Sequence, residues 1–132
     1  MSVHSFSVRV YYEDTDAGGR VYYSNYLNYA ERARTEILRT LGIEQMELLR
    51  DHGTGFVVRK CAIEYFKPAM LDDLLTIETT VDDITKATVA MQQRIKKDGE
   101  TLVTVDVKLA VIKAQDGRVA RMPEHVFAAL TQ

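Results

Sequence analysis

Ser24-Asn-Tyr-Leu-Asn-Tyr-Ala-Glu-Arg-Ala-Arg-Thr-Glu-Ile-Leu-Arg-Thr-Leu41 is the stretch on which the fold turns. Tyr26, Ala30, Ala33, Ile37 and Leu41 recur at spacings of three and four, with Leu27, Arg34 and Leu38 beside them. Glu31, Arg32, Glu36 and Arg39 occupy the other face, which is the pattern of a helix with one buried stripe. Ser24 or Asn25 suits the N-cap, Gly42 the C-terminal stop, and Arg34 is an i,i+3 partner for Glu31. Ile43 to Arg50 predicts a short second helix that His52-Gly-Thr-Gly55 ends.

On either side the period drops to two. Phe6, Val8, Val10 and Tyr12 alternate and predict a half-buried strand. From Phe56 to Lys113 the chain alternates almost throughout: Val57, Cys61, Ile63 and Tyr65; Leu75 to Val81; Ala87 to Ile95; Thr101 to Val111. Asp98-Gly99 is a strong two-residue hairpin signal, Asp116-Gly117 turns the chain again, and Pro123 opens a short amphipathic segment. One strand, one long helix and four strands in meander predict an α+β domain whose antiparallel sheet curls around the helix. Such a sheet leaves an open edge, which pairing between two copies would satisfy.

The 132 residues suffice for one domain, 1–132, with a core of its own. Seventeen basic against nineteen acidic residues give a net charge of -2, which supplies no global attraction to nucleic acid. Cys61 is the single cysteine, so disulfide frameworks and multi-cysteine metal sites are excluded, and its alternating context predicts a buried small hydrophobe. No apolar run is long enough to span a bilayer, and Met1 to Phe6 lacks a signal-peptide pattern. A cytoplasmic protein is expected.

The densest polar cluster is Tyr11-Tyr-Glu-Asp-Thr-Asp-Ala-Gly-Gly19, between the first strand and the long helix. A plain surface turn accounts for it. A calcium loop does not, because Gly18 and Asn25 stand where ligands would be needed. A third reading uses the helix N-terminus, whose unpaired N–H groups polarise a carbonyl while a carboxylate faces it, as in acyl transfer. No G-x-S-x-G, P-loop or G-x-G-x-x-G occurs, and His4, His52 and His125 lie away from the cluster.

Val10-Tyr-Tyr-Glu-Asp-Thr-Asp-Ala-Gly-Gly-Arg-Val-Tyr-Tyr-Ser-Asn-Tyr-Leu-Asn-Tyr-Ala-Glu-Arg-Ala-Arg-Thr-Glu36 resembles the signature of hotdog-fold acyl-CoA thioesterases of the 4-hydroxybenzoyl-CoA thioesterase type, in the Tol–Pal-associated YbgC branch. Phe56 to Lys60 and Glu64 to Asp73 are similar to that branch too. The resemblance implies a hotdog fold, one long helix wrapped by a five-stranded antiparallel sheet. It also implies hydrolysis of acyl-CoA, or of an acyl group on an acyl carrier protein, by a homodimer or homotetramer without metal or cofactor.

The resemblance maps Asp16 to the catalytic aspartate and the backbone N–H of Tyr23 to the group that polarises the thioester carbonyl. Asp16 acts as nucleophile through a mixed anhydride or as general base on water. Glu31 is a supporting candidate, to be weighed against an ordinary exposed helix charge. Tyr22 and Tyr26, with Tyr11 and Tyr12, are expected around the acyl group, although core packing explains these rings equally well. Because CoA lies across a subunit interface in this family, Arg59, Lys60 and Lys86 are candidates for its phosphates. Two rivals remain: a non-catalytic acyl-CoA or carrier-protein binding module, and a hotdog dehydratase or hydratase, which commonly needs a His beside the Asp.

Overall fold

The computed structural model describes residues 3–132. It comprises β1 (His4–Arg9), α1 (Asn25–Thr40), α2 (Gln45–Glu47) continuing into a π-type turn (Leu48–His52), β2 (Thr54–Tyr65), β3 (Leu74–Ile84), β4 (Thr88–Lys97), β5 (Glu100–Lys113) and α3 (Glu124–Leu130). The strands form one antiparallel sheet in the order β1-β3-β4-β5-β2. One long helix and a five-stranded sheet are the expected α+β architecture.

The helical stripe becomes the core as its spacing requires. Tyr26, Tyr29, Ala30, Ala33, Ile37 and Leu38 are buried on α1. All but Ile37 join one cluster with Leu75 and Ile77 of β3, Val89, Met91 and Ile95 of β4, and Val103, Val105, Val107, Leu109 and Val111 of β5. Full burial of each large apolar side chain contributes about 1.5–3 kcal/mol. Register breaks at Val58/Lys60, Val81/Asp83 and Ile95/Lys96 mark the irregularities by which a sheet bends.

Gly42 ends α1 as expected. Its φ of +80° is left-handed, its N–H donates to the Arg39 carbonyl at 3.0 Å, and the Ile43 N–H donates to the Leu38 carbonyl at 2.8 Å. This is the Schellman pattern that satisfies the last carbonyls of a helix. Asp98 and Gly99, both at positive φ, make the two-residue hairpin between Lys97 and Glu100.

Several expectations need correction. The meander covers β3, β4 and β5 only: β2 pairs with the far side of β5, and β1 takes the free edge of β3. Closing a sheet around one helix places the two strands flanking that helix at opposite edges. β1 stops at Arg9; Val10 is buried, but Tyr12 enters a 3₁₀ turn and is 83% exposed. Cys61 is exposed rather than buried, because β2 is an edge strand that α1 does not cover. Ser24 is the N-cap without a side-chain capping bond, and no ion pair joins Glu31 to Arg34 among the described residues.

At Gly42 a Cβ would meet nothing within 4 Å, so the cost of a side chain there is backbone strain alone. Gly42→Ala is expected to lower stability by about 1–2 kcal/mol, seen as a lower urea midpoint with an unchanged slope. An unchanged midpoint would show that the left-handed residue does not hold this helix end.

Candidate active site

Asp14 and Asp16 stand close in sequence and have opposite surroundings. Asp14 is 7% exposed. Its Oδ2 accepts the Tyr11 N–H at 2.9 Å, and its Oδ1 accepts from Asn25 Nδ2 at 3.3 Å. Its carbonyl takes a second bond from Asn25 Nδ2 and one from the Tyr22 N–H, each at 2.9 Å. Asp14 therefore ties the loop to the first residue of α1. Local side-chain bonding of this kind overrides strand alternation, which is why β1 ends early. Burial first, and the neighbouring Asp14 second, push the Tyr29 hydroxyl well above its ordinary value.

Asp16 is exposed one turn further on. Its Oδ1 accepts the N–H groups of Gly18 at 2.9 Å and Arg20 at 3.3 Å. Its own N–H donates to the Arg20 carbonyl at 2.8 Å, so the loop closes on itself around this residue. No hydrogen bond engages Oδ2 among the described residues. One oxygen is anchored and the other faces solvent, which is how a carboxylate is oriented without being consumed.

Asp16, Arg20, Tyr22, Tyr23, Tyr26 and Tyr65 line a cleft of about 400 Å³ that the turn at 66–68 borders. Tyr65, from the end of β2, donates its hydroxyl to the Tyr23 carbonyl at 3.0 Å. The Tyr26 hydroxyl accepts the Ala69 N–H at 2.9 Å, and burial raises its pKa. The Tyr26 and Tyr65 rings stand edge to face at 5.6 Å. The end of β2 and the helix entrance thus meet through aromatic rings, which line the cleft together with the carboxylate. Tyr23 lies just before α1, and its N–H has no acceptor among the described residues. An unpaired N–H at a helix entrance is an electrophilic group for a carbonyl oxygen.

The structure brings Asp16, Tyr22, Tyr23 and Tyr26 together and leaves the other candidates elsewhere. Glu31 lines a separate cavity with Arg34 and Thr35. Lys86 lies in the β3–β4 turn, 3.7 Å from Glu124 Oε1 and 4.0 Å from the Phe127 ring centre. Arg59 and Lys60 sit mid-way along β2, about 17 to 20 Å from Tyr65 at 3.3 Å per residue. The cations that do line the cleft are Arg20 and Lys67, and Lys67 is paired with Glu100 at 2.6 Å. Sequence reasoning missed both. Arg20 directly follows the glycines of the motif, which is a usable signal, whereas Lys67 arrives only through the turn after β2. Among the described residues no three His, Cys, Asp or Glu side chains are placed to share a metal ion.

Residues 10–130 match the model of the thioesterase-like superfamily. The chain is 46% identical over 125 residues to the acyl-CoA thioesterase YbgC of Haemophilus influenzae, covering 95% of this chain and 92% of that protein. It is 39% identical over 126 residues to the acyl-CoA thioester hydrolase YbgC of Escherichia coli, covering 95% and 93%. Among solved structures it is similar to a probable thioesterase from Bartonella henselae, with a TM-score of 0.87, 38% identity and coverage of 92% and 100%.

Asp14→Ala leaves the Tyr11 N–H without its acceptor and removes one of the two bonds that Asn25 Nδ2 makes to this residue. The expected loss is about 1–3 kcal/mol of stability, measured by urea unfolding. Asp16→Ala, at an exposed position, is expected to stay within about 0.5 kcal/mol of the parent. The reverse ranking would refute this division of roles.

Proposed function

The chain belongs to the thioesterase-like superfamily, and from that membership we propose that it hydrolyses acyl-CoA thioesters, with Asp16 and the Tyr23 N–H as the reacting pair. The observation that carries the reading is the cleft itself, in which an oriented carboxylate with a free oxygen shares one space with an unpaired N–H at a helix entrance. The thioester carbonyl accepts the Tyr23 N–H, which stabilises the oxyanion as it forms. Oδ2 of Asp16 attacks the carbonyl carbon, expelling the thiolate and leaving a mixed anhydride for water to open, or it takes the proton of an attacking water. Both routes consume water and release acid and thiol. The acyl donor is CoA or an acyl carrier protein, and Tyr22 and Tyr26 border the acyl group.

The nucleotide end of CoA requires cations. Arg20 and Lys67 are in the cleft of the same chain. Arg59 and Lys60 lie outside that cleft, mid-way along β2, and their place at the phosphates is in an assembly. The exposed edge of β2 favours such an assembly. It runs for twelve residues, with Val58 52% and Tyr65 46% exposed. A long edge of this kind is a template for strand pairing, and a second copy of the chain meets it antiparallel in a homodimer, the unit from which a tetramer is built. An exposed single cysteine fits a reducing, cytoplasmic setting.

Asp16→Asn keeps the shape of the loop and removes the charge. Thiol release from acyl-CoA is expected to fall about 100- to 10,000-fold, with unchanged thermal unfolding. Activity within a few-fold of the parent would remove Asp16 from the mechanism. Light scattering at micromolar concentration is expected to give at least a dimer. A monomeric parent would exclude an interfacial CoA site.

A further inference from the structure

A second cavity lies between α1, β2 and α3. It holds about 170 Å³ and joins Glu31, Arg34 and Thr35 to apolar walls that include Leu38, Phe56 and Leu130. Arg34 is its unusual member. The guanidinium is half-buried on the helix, and its Nη1 donates to Gln93 Oε1 at 2.9 Å. Gln93 is fully buried and is held in turn, its Nε2 donating to the Ala30 carbonyl at 2.9 Å and to Thr79 Oγ1 at 3.0 Å. No carboxylate lies within ion-pair distance of Arg34 among the described residues. A desolvated cation normally finds a full set of acceptors. Here one nitrogen is fixed from behind, and the rest of the fork is left to the cavity.

Glu31 supplies the complementary group. Its Oε2 accepts from Thr35 Oγ1 at 2.9 Å, and Thr35 Oγ1 accepts from Gln45 Nε2 at 2.9 Å. Its second oxygen has no partner among the described residues. The polar end therefore offers a donor fork and an acceptor together. A carboxylate entering there would meet the charge of Glu31, and an alkyl end would leave both groups unpaired. A hydroxyl accepts from Arg34 and donates to Glu31.

One face of β2 runs from the Asp16 cleft to this cavity. Tyr65 lines the cleft and Val58 the cavity, and Ile63 and Cys61 lie between them on the same face of β2, opposite the buried Val105 and Val107 of β5. On the helix, exposed Leu27 fills the interval between Tyr23 and Glu31. From Tyr23 to Arg34 the helix rise is about 17 Å.

We propose that α1 and this face of β2 form one groove that takes the acyl group with its far end in this cavity, and that Glu31 and Arg34 select acyl groups bearing a hydroxyl at that end. The inference rests on the thioesterase reading above.

The test uses pairs of acyl-CoAs that differ only in a terminal hydroxyl, over a range of lengths, with kcat/KM read by thiol release. The parent is expected to prefer the hydroxylated member by about 10- to 100-fold at the length that spans the groove, as hydrogen bonds to charged groups give. Glu31→Gln and Arg34→Met are expected to bring that ratio to within about threefold of one. Glu31 is exposed, so Glu31→Gln remains informative if Arg34→Met fails to fold around Gln93. A purely structural role would lower both substrates alike and leave the ratio intact, which overturns the proposal. So does a parent with no preference at any length, or one that prefers a terminal carboxylate. Thiol release without preference refutes this inference alone, whereas no release from any acyl-CoA refutes the activity and the inference with it.

Discussion

The apolar face of α1 has to be covered, and one sheet has to cover it. Everything else in the molecule follows from that constraint. The inner residues of β3, β4 and β5 supply the cover, and register breaks in β2, β3 and β5 let the sheet bend toward the helix. The strands on either side of the helix in sequence, β1 and β2, become the two edges. β2 extends past the helix, so side chains with a core-like pattern finish in the open. The apolar edge, the exposed thiol and the groove beside α1 are one consequence of covering a single helix with five strands.

The entrance of the helix is where this arrangement acquires chemistry. Two carboxylates in one short loop divide the work by burial. Asp14 uses its side-chain and main-chain oxygens to fix the loop to Asn25 and Tyr22. Asp16 is then presented by the same loop with one oxygen unengaged. Asp14 has both carboxylate oxygens engaged, whereas Asp16 holds its own turn through one oxygen and keeps the other unengaged. Tyr65 braces the entrance from the end of β2 through the Tyr23 carbonyl, and Tyr26 ties it to the turn after β2 through the Ala69 N–H.

The core also carries a polar seam. Gln93 is fully buried between the helix and the sheet, bonded to Ala30, Thr79 and Arg34. An apolar side chain of like volume would pack there without needing partners, and breaking such a network costs about 1–3 kcal/mol. A seam of this kind holds the guanidinium of Arg34 in one place, which a purely apolar core could not do.

The sequence by itself determined the elements and the loop that carries Asp16. The spacing of Tyr26 to Ile37 is helical whatever surrounds it, Gly42 and Asp98-Gly99 end their elements by backbone preference, and the motif around Asp16 survives as a contiguous string. These are local properties, and local properties are legible along the chain. The strand order was not legible, because alternation shows that β2 has two faces but not which neighbour it pairs with. For the same reason Cys61 reads as buried and is exposed: its pattern belongs to a sheet, and its environment belongs to the edge of that sheet. Only the tertiary structure separated Asp14 from Asp16, gathered Arg20 and Lys67 into the cleft, sent Lys86 to Glu124 and Phe127, and placed Arg34 on Gln93. Each of those placements joins residues far apart in the chain, and it is the closure of the sheet around the helix that makes them neighbours.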